Sequence, residues 1–235
     1  MRAFLEFPCN FPLYSQHLDS RRKMNKTTTI VLALLVSLGV AIISLGLFYP
    51  STKVAAETTA LPERALGDPK APITITEYSS LTCSHCADFY VKVMPELQKR
   101  YIDTGKVRFV YRDFPMDGIG LKGAALAHCM PAEQFFPYIK IVYANQTSWI
   151  RTDKPDVTLT QYAQMAGLPA DKAKACLDDT KLLDALVAVR TEATDKFDIK
   201  ATPTFIFSDN ETKLVGARSI DDFAVVIDKI LAKKK

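Results

Sequence analysis

The order of strand and helix signals predicts an α/β fold split by an all-helical insertion, in the sequence β-α-β, helical block, β-β-α. Three observations carry this. Ile73-Thr74-Ile75-Thr76-Glu77-Tyr78 alternates with β-branched residues and runs into Phe89, Val93 and Leu97 at helical spacing. From about 119 to 197 strand signals vanish and helix signals replace them. Strand pattern then returns at Thr204-Phe205-Ile206-Phe207, followed by a turn, Lys213-Leu214-Val215 and one amphipathic helix.

The elements follow in order. A helix is expected from about 84 to 103, interrupted by Pro95, which removes a backbone bond and predicts a kink near Val91–Met94. Gly105 ends it, and Lys106 to Tyr111 alternates as a second strand, bounded by Asp113, Pro115 and Gly118. Strand, helix and parallel strand make a right-handed crossover. In the block that follows, helices are expected over Gly120 to Met130, from near Pro131, over Thr160 to Gly167, over Asp171 to Asp178 and over Thr180 to Phe197. Ser219 with Asp222 three residues on is a capping-box pattern for the last helix, whose stripe is Phe223, Val226, Ile227, Ile230 and Leu231.

Charge separates the N-terminal region from the rest. The chain has 235 residues, 48% hydrophobic and 24% charged, enough for one good core. Residues 1–56 hold six of the 30 Lys and Arg and two of the 26 Asp and Glu, so the remainder is balanced at 24 of each sign. That balance argues against a nucleic-acid surface. Ile30 to Tyr49 is an uncharged apolar run preceded by Arg21, Arg22, Lys23 and Lys26, the pattern of a signal peptide or membrane anchor. Val54-Ala55-Ala56 offers a cleavage site before Glu57, and the run is just long enough to span a bilayer, so both readings stand. Residues 1–23 lack periodicity, and Met24 opens a signal by itself, so 1–23 reads as upstream of the true start and 24–56 as the signal or anchor. Beyond them, 57–71 reads as a linker, 72–118 as the first half of the α/β fold, 119–197 as the helical insertion and 198–235 as the second half.

Export agrees with cysteine use. Cys9 lies in the targeting region, which leaves Cys83, Cys86, Cys129 and Cys176, an even set that allows two disulfides in three connectivities. Cys83–Cys86 is local, leaving Cys129–Cys176 as the natural second pair, with two buried free thiols as the plainer reading. A Cys-x-x-Cys at a strand-to-helix junction can cycle between dithiol and disulfide, because free N–H groups and the helix dipole favour a thiolate on the first cysteine. Only His17, His85 and His128 are present and no second Cys-x-x-Cys accompanies the first, so a tetrahedral zinc site lacks ligands; neither metal nor cofactor is expected.

With Cys83-Ser84-His85-Cys86, Thr202-Pro203-Thr204 before the late strand, and the helical block all in place, the chain resembles the thioredoxin superfamily, and within it the DsbA-like exported thiol:disulfide oxidoreductases, over about residues 70–232. The resemblance implies a thioredoxin fold with a helical insertion, and roles for particular residues. Cys83 would form the mixed disulfide with substrate, and Cys86 would resolve it. His85 would tune the pair, and Glu77, six residues before Cys83, would be a buried carboxyl that trades a proton with Cys86. Pro203 would be cis, with the Thr202 backbone pairing with an extended substrate peptide. Some DsbA-like proteins of alphaproteobacteria also have a second disulfide of the Cys129–Cys176 kind. The implied activity is a periplasmic, monomeric disulfide oxidase acting on reduced exported proteins and reoxidised by a DsbB-type, quinone-linked membrane partner. A reductase or isomerase of the same fold, or a non-catalytic binding module, is the alternative.

Overall fold

A computed structural model describes residues 61–209 and 211–234. The apolar run Ile30 to Tyr49, the cleavage site and Cys9 therefore lie outside the described residues. Among the described residues, no helix is long and apolar enough to cross a membrane.

Five strands form one sheet: β1 (Arg64–Leu66), β2 (Ile73–Ser79), β3 (Val107–Asp113), β4 (Thr204–Phe207) and β5 (Lys213–Val215). Their spatial order is β1-β3-β2-β4-β5. Only β2 and β3 run parallel, Ile73 facing Val107 and Ser79 facing Asp113, as a crossover through one helix requires. β4 lies antiparallel on the other side of β2, so the redox strand is central. Ile73, Ile75, Glu77 and Ser79 lie on one face of β2 and are fully or almost fully buried.

The stretch 57–71, expected as a linker, contains β1, which pairs antiparallel with β3. Three residues are too few to show a period of two. The strand is held by Arg64, whose guanidinium donates to the His128 carbonyl at 3.0 Å and lies 5.0 Å over the Phe135 ring.

Helix α1 covers 84–102 and opens with a regular segment, Ser84–Asp88. It then widens into a π turn at Phe89–Val93, where the Met94 N–H reaches back to the Phe89 carbonyl. Pro95, which has no N–H, follows immediately, so the widened turn sits where the sequence placed a kink. A second π turn closes the helix at Gln98–Ile102.

The insertion consists of α2 (Gly118–His128), α3 (Ala132–Ala144), α4 (Gln146–Ile150), α5 (Pro155–Met165), α6 (Ala170–Asp178) and α7 (Thr180–Phe197). Two details differ from expectation. α5 starts at Pro155 rather than Thr160, because a proline fits the first helical turn, where its missing N–H has no partner to lose. The short α4 was not expected; burial of Trp149, with its indole N–H donating to the Val142 carbonyl at 2.9 Å, holds it against α3. A disulfide joins Cys129, just after α2, to Cys176 in α6, with Cα atoms 6.4 Å apart.

The last helix, α8 (Ile220–Lys233), has the full capping box between Ser219 and Asp222. Its Phe223 ring lies 5.7 Å from Phe89 of α1 and 4.8 Å from Phe205 of β4, so α1 and α8 cover the same face of the sheet. On the opposite face Phe197 of α7 lies 6.0 Å from Tyr78. Both faces are covered, and the C-terminal ends of β2 and β3 open toward the insertion.

Candidate active site

β2 delivers the chain to Ser79, and a loop of three residues, Ser80, Leu81 and Thr82, then leads to Cys83 at the N-cap of α1. The loop is tied at both ends. The Cys83 N–H donates to the Ser80 carbonyl at 3.0 Å, and the Cys83 carbonyl accepts from the N–H groups of Cys86 and Ala87 at 3.1 and 3.2 Å. Thr82 donates its hydroxyl to Asp117 at 2.6 Å, and Asp117 also caps α2 through the Gly120 N–H at 2.7 Å.

The two cysteines occupy different environments and are both thiols in this structure. Cys83 is half-buried, and its sulfur lies 3.2 Å from the Thr202 carbonyl, to which the thiol donates. Cys86 is fully buried. A hydrogen bond from the Cys86 thiol, the Thr202 side chain and the N–H groups of Cys86 and His85 together bring the Cys83 thiol down to about 5, against a smaller opposing effect of burial. Burial, followed by that same hydrogen bond, pushes Cys86 well above the ordinary thiol range. The pair is thus split into an acidic outer thiol and a weakly acidic inner one.

Thr202 and Pro203 form the wall beside Cys83, and the peptide bond between them is cis. Thr202 is buried, and its hydroxyl donates to the Met116 sulfur at 3.4 Å. The Pro203 carbonyl accepts from the Gly216 N–H at 2.8 Å, which fastens the wall to the strand β5 end.

Glu77 lies beneath the pair in the middle of β2, opposite Tyr111 of β3 and Phe205 of β4, with no exposed surface. Burial raises its carboxyl to about 8, with the nearby Ser79 and Tyr90 hydroxyls pulling the other way. Neither carboxyl oxygen makes a hydrogen bond of good geometry, nor does the Tyr90 hydroxyl. A buried carboxyl in this setting is held in its neutral form at neutral pH.

His85 is exposed; its backbone N–H, rather than a hydrogen bond from its ring, is what reaches the Cys83 sulfur. Cys129 and Cys176 are bonded in the insertion and are not part of the Cys83 surroundings. Among the described residues no group of three or more His, Cys, Asp or Glu side chains is placed to hold a metal ion.

Sequence reasoning passed over several side chains that shape the site. Gln146, at the start of α4 and 7% exposed, donates through Nε2 to the Leu81 carbonyl at 2.8 Å and to the Cys83 carbonyl at 3.0 Å. Tyr143 joins its hydroxyl to Ser79 at 2.8 Å and to Tyr111 at 3.4 Å, and its ring stacks on Tyr90 with centroids 4.5 Å apart. Asp113 and His128 form a buried pair at 2.7 Å. No local pattern marks these residues, since each acts across more than a dozen positions of sequence; the period of α3 could have placed Tyr143 on its buried face.

A family model described as thioredoxin matches residues 59–229. A Rickettsia felis protein, provisionally named a protein-disulfide oxidoreductase, is 32% identical over 174 residues, which cover 74% of this chain. This chain spans 62% of that relative's length. Among solved structures, Wolbachia pipientis alpha-DsbA1 is 38% identical with a TM-score of 0.68, covering 74% of this chain and 94% of that one. Oxidised BdbD of Bacillus subtilis, at 20% identity and a TM-score of 0.62, covers 72% of this chain and 93% of its own and shares the fold.

Proposed function

This chain belongs to the thioredoxin family and, within it, to the DsbA-like proteins, and on that premise we propose that it is an exported protein-disulfide oxidase working through Cys83 and Cys86. The observation that carries the reading is the split between the two thiols, Cys83 down to about 5 and Cys86 well above the ordinary range. A stabilised Cys83 thiolate favours the reduced state of the pair, and that makes its disulfide a better oxidant.

The geometry supports the following cycle. A substrate thiolate attacks the Cys83 sulfur of the Cys83–Cys86 disulfide, and the bonding pair passes to Cys86. The Glu77 carboxyl, held up to about 8 directly beneath, supplies the proton that the high-pKa Cys86 sulfur takes. A second substrate thiolate then attacks the substrate sulfur of the mixed disulfide. The substrate leaves with the new disulfide, and Cys83 departs as a thiolate stabilised by the Cys86 thiol, the Thr202 side chain and the helix N–H groups. Two electrons have moved from the substrate dithiol to Cys83 and Cys86. During the mixed disulfide an extended substrate segment pairs with the Thr202 backbone beside Pro203, and His85 borders the exposed rim of the pair.

The substrates are reduced proteins folding outside the cytoplasm. A membrane protein of the DsbB type, passing electrons to quinone, restores the disulfide. The basic flank at 21–26 and the apolar run Ile30 to Tyr49 support a periplasmic location, either free after cleavage or held at the membrane. The test is to equilibrate residues 57–235 with glutathione buffers and to assay oxidation of a reduced two-cysteine peptide. An oxidising potential and stoichiometric transfer of one disulfide are expected. A potential as reducing as that of thioredoxin, with no transfer, would reject the oxidase.

A further inference from the structure

We propose that Gln146 is a positioning residue that sets the acidity of Cys83, so that the helical insertion controls the redox pair through one side-chain amide. The inference rests on the thiol–disulfide exchange reading and adds a residue to it.

Gln146 is neutral, so any effect on Cys83 comes from geometry. Its two amide hydrogens go to two carbonyls that flank the redox loop, Leu81 at 2.8 Å and Cys83 at 3.0 Å. Both are backbone groups of the loop, and the amide that holds them is itself buried. The Cys83 carbonyl is the first acceptor of α1 and takes the N–H groups of Cys86 and Ala87 as well. Fixing that carbonyl fixes the peptide plane that follows it. The planes after it present the His85 and Cys86 N–H groups to the Cys83 sulfur, and these are two of the contacts that keep the thiol acidic. A second tie runs from Thr82 to Asp117, the N-cap of α2, and leaves both carbonyls to Gln146. Without Gln146 the Leu81 and Cys83 carbonyls would each lose a buried partner, and the first turn would be free to tilt toward water to replace it.

Gln146 stands apart from its surroundings in one respect. Trp149, on the same short helix and fully buried, bonds within the insertion, to Val142. A residue that only stabilised α4 would behave as Trp149 does.

The test uses the full chain, reduced, with the rate of alkylation at Cys83 followed against pH by peptide mass. Gln146→Met keeps the length of the side chain and removes both donors. Loss of two hydrogen bonds of ordinary strength is expected to raise the Cys83 pKa by about one unit and to make the Cys83–Cys86 disulfide about tenfold less oxidising in a glutathione equilibrium. Trp149→Phe serves as the control for loosening of α4: it should lower the melting temperature and leave the Cys83 titration in place. If Gln146→Met titrates within about 0.2 units of the wild type, or if Trp149→Phe moves the titration as far, the positioning role is wrong. An ordinary thiol pKa for Cys83 in the wild type would instead overturn the oxidase reading itself, so the two failures are distinct.

Discussion

The sheet half and the helical insertion reach the same loop by different means. In the proposed cycle the groups that react or move a proton come from the sheet: Glu77 lies on β2, the cysteines follow it in sequence, and Thr202 lies just before β4. The insertion contributes no reacting sulfur. It contributes groups that hold the loop and the strand end before it, Gln146 to two carbonyls and Tyr143 to Ser79, with Asp117 at the N-cap of its first helix holding Thr82. It is also closed on itself by Cys129–Cys176, away from the redox pair. Chemistry and restraint are therefore carried by different stretches of chain. Substitutions in the sheet half should change what the site does, and substitutions in the insertion should change how firmly or how acidly it does it.

The largest effect expected on that division is from Cys83→Ala. Disulfide transfer to a reduced peptide should fall to the uncatalysed background, with the fold intact by circular dichroism. Retained turnover would mean that the sheet half does not hold the attacked sulfur.

Glu77→Gln should follow, and its effect depends on pH. The Glu77 carboxyl is raised from 4.5 to about 8, so its favourable contribution is complete below the unfolded value and is lost as pH rises through 8. The loss is at most about 5 kcal/mol, from roughly 1.4 kcal/mol per unit. Cys83 acts in the opposite sense: its pKa is lowered to about 5, so its contribution is complete above the unfolded thiol value and is lost as pH falls through 5. The difference between wild type and Glu77→Gln cancels the Cys83 part. Urea unfolding of the reduced pair should therefore show Glu77→Gln more stable than wild type at pH 9 and little changed at pH 4. Equal curves at both values would show that Glu77 is not held neutral by burial.

The insertion gives the next effect. Replacing both Cys129 and Cys176 by alanine opens a 47-residue separation, which in the chain-entropy picture costs about 4 kcal/mol. The unfolding midpoint should fall accordingly, while the Cys83 titration stays in place. A large change in Cys83 acidity would break the separation between restraint and chemistry.

The smallest effect is expected from His85→Ala. The ring is exposed and the N–H that reaches the sulfur survives the substitution, so the dithiol–disulfide equilibrium should move by less than about tenfold. A larger shift would give the exposed ring a direct part that its placement does not supply.

Much of the molecule can be read from local pattern alone. Alternation at 73–78 and spacing after it placed β2 and α1, and Cys83-Ser84-His85-Cys86 marked the junction where thiol chemistry is favoured. Ser219 and Asp222 announced α8 because a capping box is complete within four residues. Glu77 sits in the same alternation as Ile73 and Ile75, but its burial is expected from the family resemblance rather than from period, since a carboxyl on a strand more often faces water. β1 is not legible in the sequence because three residues show no period and what holds it is distant: its pairing with β3 and the Arg64 bonds to His128 and Met130 more than 60 positions away.

What sequence by itself determined is the order of elements and the place of the Cys-x-x-Cys pair at a strand-to-helix junction, because period, caps and that spacing act over a few residues. Only the tertiary structure decided which side chains restrain those groups. Gln146 is an ordinary polar residue in a short helix until folding brings its amide against Leu81 and Cys83, 65 and 63 residues earlier. Folding decided the rest: the same thiol chemistry is acidic at Cys83, whose sulfur receives the Cys86 thiol hydrogen bond along with contacts from Thr202 and the helix N–H groups, and suppressed at Cys86, whose sulfur is buried in the core.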